Sequence, residues 1–88
     1  MIDVTIEKVL GGSLAVVRVD QRGVRTEHRV TVKDEDLRRY DAVDVTDLVR
    51  RSFEFLLARE PNTSILREFR ITEIERYFPE YARDMRGG

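Results

Sequence analysis

Side-chain chemistry needs a base, a nucleophile or a set of metal ligands at convergent positions, and this chain offers few of them. Its one histidine, His28, is the only imidazole that could serve as a general base. Strand alternation places it with Val24, Thr26, Val30 and Val32 on an apolar face, where a core or sheet-edge histidine bonded to backbone is the ordinary occupant. No serine stands in a nucleophile-elbow context: Ser13 reads as a turn residue, Ser52 as mid-helix and Ser64 as a helix cap. There is no cysteine, which removes thiol nucleophiles, thiolate zinc sites and disulfides. Two acidic clusters remain, Asp34-Glu35-Asp36 and Asp41, Asp44, Asp47. A calcium loop needs a fixed ligand spacing around a sharp glycine turn, and neither cluster has that glycine, so both read as helix caps. Carboxylate pairs for glycoside chemistry carry no specificity in so acid-rich a chain. Gly11-Gly12-Ser13 is too short for a phosphate loop, lacks a following Gly-Lys-Ser/Thr, and reads as a hairpin loop. The expectation is a non-enzyme with no catalytic residue, no cofactor and no metal.

Binding chemistry is better represented. Arg18, Arg22, Arg25 and Arg29 cluster on the second and third strands, and a basic sheet face could track a phosphate backbone. The strands hold no aromatic to stack on bases, and Asp20 and Glu27 dilute the patch, so a solvated face competes with a nucleic-acid face. Phe55 falls off the main apolar stripe of its helix, on a side shared with Ser52 and Arg59. Either the helix is buried on two sides, with Phe55 under the Ile65–Phe69 segment, or Phe55 is presented to a partner. Tyr77, Phe78 and Tyr81 around Pro79 pose the same choice, a clamp on the core or an exposed aromatic lip with Arg76 and Arg83. Phe55, Arg59, Tyr77 and Tyr81 are therefore the candidate interface. The terminal Gly87-Gly88 resembles the diglycine tail of ubiquitin-like modifiers, but those reach the tail from a strand, and this chain reaches it from helices.

The elements that would position these residues follow from periodicity. Ile2, Val4 and Ile6 alternate with polar residues as a half-buried strand; Leu14–Asp20 is β-branched and reads as a central strand; Val24–Lys33 alternates most clearly. Gln21-Arg22-Gly23 is a turn between the last two. Asp34–Asp36 opens a short helix with Leu37 and Tyr40 inward. Val45, Leu48, Val49, Phe53, Leu56 and Leu57 form one stripe of a longer helix starting near Asp44 or Thr46, and Pro61 stops it at about Glu60. Ser64 would cap a helix over Ile65–Phe69, and Thr72 with Glu75 would box a last helix running to Phe78. The sum is an α+β domain over residues 1–83: a three-stranded antiparallel meander, then three or four helices on one face of the sheet. Residues 84–88 are left as a flexible C-terminal tail.

Composition agrees with a small folded domain. The 88 residues are 41% hydrophobic and 38% charged, with a formal net charge of −1 and arginine as the main cation. No basic excess points to nucleic acid, no segment is long enough for a membrane span, and the alternating N-terminus is not that of a signal peptide. A cytoplasmic home fits. The run Ser52-Phe53-Glu54-Phe55-Leu56-Leu57-Ala58-Arg59-Glu60-Pro61, with Ser64-Ile65-Leu66 and Tyr77-Phe78-Pro79-Glu80-Tyr81, resembles a family of small bacterial proteins of about this length. That resemblance implies a self-contained cytoplasmic domain with a β-rich first half and a helical second half, no assigned activity and no functional residue. The function expected is action through protein contacts or self-association. A homodimer could form through an edge strand or the Phe55 side of the long helix.

Overall fold

The computed structural model describes residues 1–87. Three antiparallel strands come first, β1 (Ile2–Val9), β2 (Gly12–Gln21) and β3 (Val24–Lys33). Two-residue turns join them. Gly11 has φ +79° in the first, and Arg22 and Gly23 have φ +54° and +79° in the second, which is the left-handed pair a tight hairpin requires. The turn that reads as Gly11-Gly12-Ser13 is Leu10-Gly11, and Gly12 already belongs to β2. Glycine is required there by space: a Cβ at Gly12 would lie 2.4 Å from the Val32 carbonyl oxygen.

Alternation then divides the sheet into two faces. Ala15, Val17, Val19, Thr26, His28, Val30 and Val32 are buried, while Arg18, Arg25, Glu27 and Arg29 face solvent. Val24, grouped with the apolar face by alternation, sits at the hairpin end and is 46% exposed.

Helix α1 (Asp34–Arg39) starts directly from β3. Lys33 N–H donates to Asp36 Oδ2 at 2.9 Å, closing the first turn. The helix ends with Asp41 in the left-handed region (φ +51°), where Ala42 N–H reaches the Leu37 carbonyl. Helix α2 (Val45–Leu57) is capped by Asp44, whose Oδ1 accepts from Thr46 N–H at 3.1 Å. Leu48, Val49, Phe53 and Leu56 lie against the sheet as their spacing predicts. Ser52 and Phe55 are buried as well, so the helix is covered on two sides.

The α+β class holds; the finer expectation needs correction. Residues expected to form a helix over Ile65–Phe69 instead run extended after a 3-10 turn at Asn62–Ser64, and Glu68–Arg70 is a fourth strand, β4, parallel to β3. The sheet is therefore mixed, in order β1-β2-β3-β4, and not a three-stranded antiparallel meander. Glu68-Phe69-Arg70-Ile71 alternates charged and apolar, and burying Phe69 and Ile71 on one face outweighs the weak helical spacing. The Thr72 capping box does not form: a 3-10 turn at Ile71–Glu73 leads into α3 (Ile74–Tyr77), and Glu75 is taken up by side chains from α1. The expected domain boundary at residue 83 falls inside a further helix, α4 (Tyr81–Gly87), which buries Met85 beside Ser52 and Arg51. Met85 supplies the apolar contact that holds this turn down. Gly88 lies outside the described residues, and so does the diglycine reading that depends on it.

A candidate interaction groove beside the aromatic cluster

The structure separates the four candidate interface residues. Phe55 is internal, 7% exposed, with its ring edge-on to Phe78 at 5.8 Å and to Tyr81 at 5.3 Å. The reading of Phe55 as an outward anchor is corrected: the helix is buried on two sides, and Phe78 and, from α4, Tyr81 stand against the Phe55 ring. Tyr81 is likewise fully buried. Its hydroxyl donates to Ser52 Oγ, which donates in turn to the Leu48 carbonyl at 2.7 Å. Burial pushes the Tyr81 phenol well above its ordinary range, so it stays a neutral donor. Arg59 lies 3.5 Å over the Phe55 ring and donates to the Phe55 carbonyl at 2.9 Å, while Glu80 and Asp84 hold it from α4 and the turn before it. It brackets α2 to α4. Of the three aromatic candidates, Tyr77 alone stands well out from the surface, at 62% exposed.

Tyr77 stands on the rim of an open groove of about 410 Å³. The floor is Leu56 from the last turn of α2, Ile65, Phe69 from β4, and Ile74 from α3, all buried. Leu66, 45% exposed, and Phe78 line its sides with Tyr77. Glu60 and Glu73 are the acidic lining residues. Burial raises the Glu60 carboxyl above its ordinary value, with no hydrogen bond or opposite charge opposing that shift. Arg59, its neighbour in sequence, is committed to Phe55, Glu80 and Asp84. Glu73 has Arg76 at 3.9 Å.

Two of the residues lining the sides of this groove, Tyr77 and Phe78, belong to the aromatic group that stands out in the sequence, and Leu66 does not. A helix over Ile65–Phe69 would aim Ile65 and Leu66 differently from the extended segment that forms. The available signal was the apolar pair Ile65-Leu66 between the Pro61 stop and the charged alternation from Glu68 onward.

What fixes the groove is polar. His28 Nδ1 donates to the Leu66 carbonyl at 2.8 Å, since a carbonyl oxygen only accepts, and Nε2 accepts from Thr26 Oγ1 at 2.8 Å. The ring is fully buried, 5.3 Å from the Phe53 ring centroid. Burial pushes its pKa down, which keeps it neutral in this tautomer. His28 thus anchors the strip carrying Leu66, and Arg29 N–H adds a bond to the Arg67 carbonyl at 2.7 Å. Further along, Arg70 donates to both oxygens of buried Asp36, at 3.2 and 2.7 Å, tying β4 to α1. Arg39 and Tyr40 both donate to Glu75 of α3, the guanidinium through two bonds of 2.8 Å. These donors, Arg39 foremost, hold the Glu75 carboxyl at about 2. Asn62 donates through its side-chain amide to the Val24 carbonyl and through its backbone N–H to Gln21 Oε1, pinning the turn after α2 to the β2–β3 hairpin.

The arginines on the outer sheet face behave differently from a basic stripe. Arg18, Arg25 and Arg29 do share that face, but Arg18 sits between Asp3 and Glu27 on the flanking strands, and Arg25 pairs with Asp20 at 3.2 Å. Arg22 lies in the hairpin turn. No helix is long and apolar enough to cross a membrane among the described residues. Comparison with protein-family models, curated proteins and solved structures returns no match, so the groove is interpreted from its own geometry.

Proposed function

We propose that this chain is a small cytoplasmic, non-enzymatic interaction module whose groove receives an apolar segment of a partner protein. One observation carries the reading: Leu66 and Tyr77, both exposed, flank an apolar floor held in place by buried polar bonds. Large side chains standing out on either side of a preformed apolar slot suit a partner's anchor residue, because the slot is built before binding and little ordering is left to pay for. The non-enzymatic part is supported by the engagement of His28 on both ring nitrogens and of Glu75 and Asp36 in ion pairs. The resemblance of the helical half to small bacterial proteins without assigned activity stands with this proposal. The test is panning of a random peptide display library on the wild type and on the double variant Leu66→Ser, Tyr77→Ser. The expected outcome is enrichment of apolar peptides by the wild type alone. Equal enrichment on both chains, or none, refutes the groove as the binding surface.

Self-association is a second reading, favoured by β1. It is an eight-residue edge strand with a neighbour on one side only, and Ile2, Val4 and Ile6 are half-buried on its inner face. Light scattering across a concentration series tests it; a mass that stays at one chain throughout removes it.

A further inference from the structure

Resting on the groove reading above, we infer that the segment it receives is basic as well as apolar, a large aliphatic or aromatic side chain followed closely by lysine or arginine that pairs with Glu60. The argument is charge complementarity at a partly dry position. Glu60 lines the groove with Leu56, Ile65 and Tyr77. Several carboxylates on the neighbouring elements have arginine partners, Glu75 with Arg39, Glu80 and Asp84 with Arg59, Asp36 and Glu35 with Arg70, and those without one, Glu54 and Glu68, are exposed, whereas Glu60 is partly buried. Glu60 shows burial without any such compensation. A carboxylate partly withdrawn from water gains most from a cation brought to it, and an incoming segment that covers Leu66 and Tyr77 would desolvate it further. An acidic segment would meet Glu60 and Glu73 together and be repelled, so the same charges that favour one partner class disfavour the other. Glu73 contributes less, because Arg76 already stands near it.

The test uses three short synthetic peptides with one central Phe, flanked by Lys, Gln or Glu, titrated by fluorescence polarisation against wild type, Glu60→Gln and Leu66→Ser/Tyr77→Ser. The lysine peptide is expected to bind wild type roughly tenfold or more tighter than the glutamine peptide, and Glu60→Gln removes most of that preference. Circular dichroism and thermal melting of Glu60→Gln, matching wild type, separate lost charge pairing from lost fold. If wild type binds all three peptides alike, through Leu66 and Tyr77, the basic preference is overturned and the groove reading survives. If no peptide binds in a way that depends on Leu66 and Tyr77, both fall together.

Discussion

Glu75→Gln is the substitution whose cost the geometry defines best. Glu75 receives two hydrogen bonds of 2.8 Å from Arg39 and one from the Tyr40 hydroxyl, and it is 21% exposed. Its carboxyl is held at about 2 against an ordinary 4.5, which corresponds to roughly 3 kcal/mol of stabilisation near neutral pH. Arg39 is 53% exposed, so solvent screening lowers the expected figure to about 1–2 kcal/mol. Glutamine preserves the side-chain volume and one acceptor oxygen for Tyr40 and Arg39 Nε, removes the charge, and turns an NH2 donor toward Arg39 Nη2 in place of the second oxygen. A depressed carboxyl pKa stabilises the fold above the unfolded value, and the benefit is lost as protons bind. The wild type's advantage should thus be full near neutrality and shrink as the pH falls from 4.5 toward 2. Urea unfolding followed by circular dichroism, at a series of pH values, measures it. An advantage that persists unchanged into acid would locate the loss in packing, and no advantage at neutral pH would refute the ion pair as a stabilising element.

His28 should remain neutral below its ordinary 6.5, so the imidazole resonances of the only histidine show no titration near that value. Because the unfolded chain takes up the proton first, wild-type stability declines as the pH drops below 6.5, and His28→Gln flattens that slope; a normal titration overturns the assignment. Gly12→Ala should cost about 1–3 kcal/mol, because the added Cβ meets the Val32 backbone at 2.4 Å. Gly11→Ala has open space but a φ of +79°, so its cost, by thermal melting, should be a strain of about 1–2 kcal/mol. Phe55→Ala should destabilise by as much as Phe53→Ala, about 3–5 kcal/mol each in urea titrations, and a markedly smaller loss at Phe55 would place its ring outside the core.

The strongly periodic elements were legible in the residues. Three strands with one wet face, α1 and its acidic first turn, and α2 with its Asp44 cap all follow from alternation, helical spacing and short capping side chains acting over a few residues. His28 on the apolar face was readable the same way. The groove was not. Ile65–Phe69 has too few residues for periodicity to separate strand from helix, and the deciding partner, the β3 backbone at Arg29–Thr31, lies about forty positions away in the chain. Phe55 was ambiguous for a related reason, since whether a second helix face is covered depends on where α4 packs.

Local periodicity in the sequence thus determined the α+β class, the strand faces and the main helix stripe, because those preferences act between near neighbours. Only the tertiary structure decided that β4 runs parallel to β3, that Phe55 and Tyr81 are internal, and that Glu60, Leu66 and Tyr77 meet around one groove. Each of those outcomes turns on contacts between distant segments, His28 with Leu66, Arg70 with Asp36, Phe55 with Tyr81, whose free energy appears only once the chain has brought the partners together.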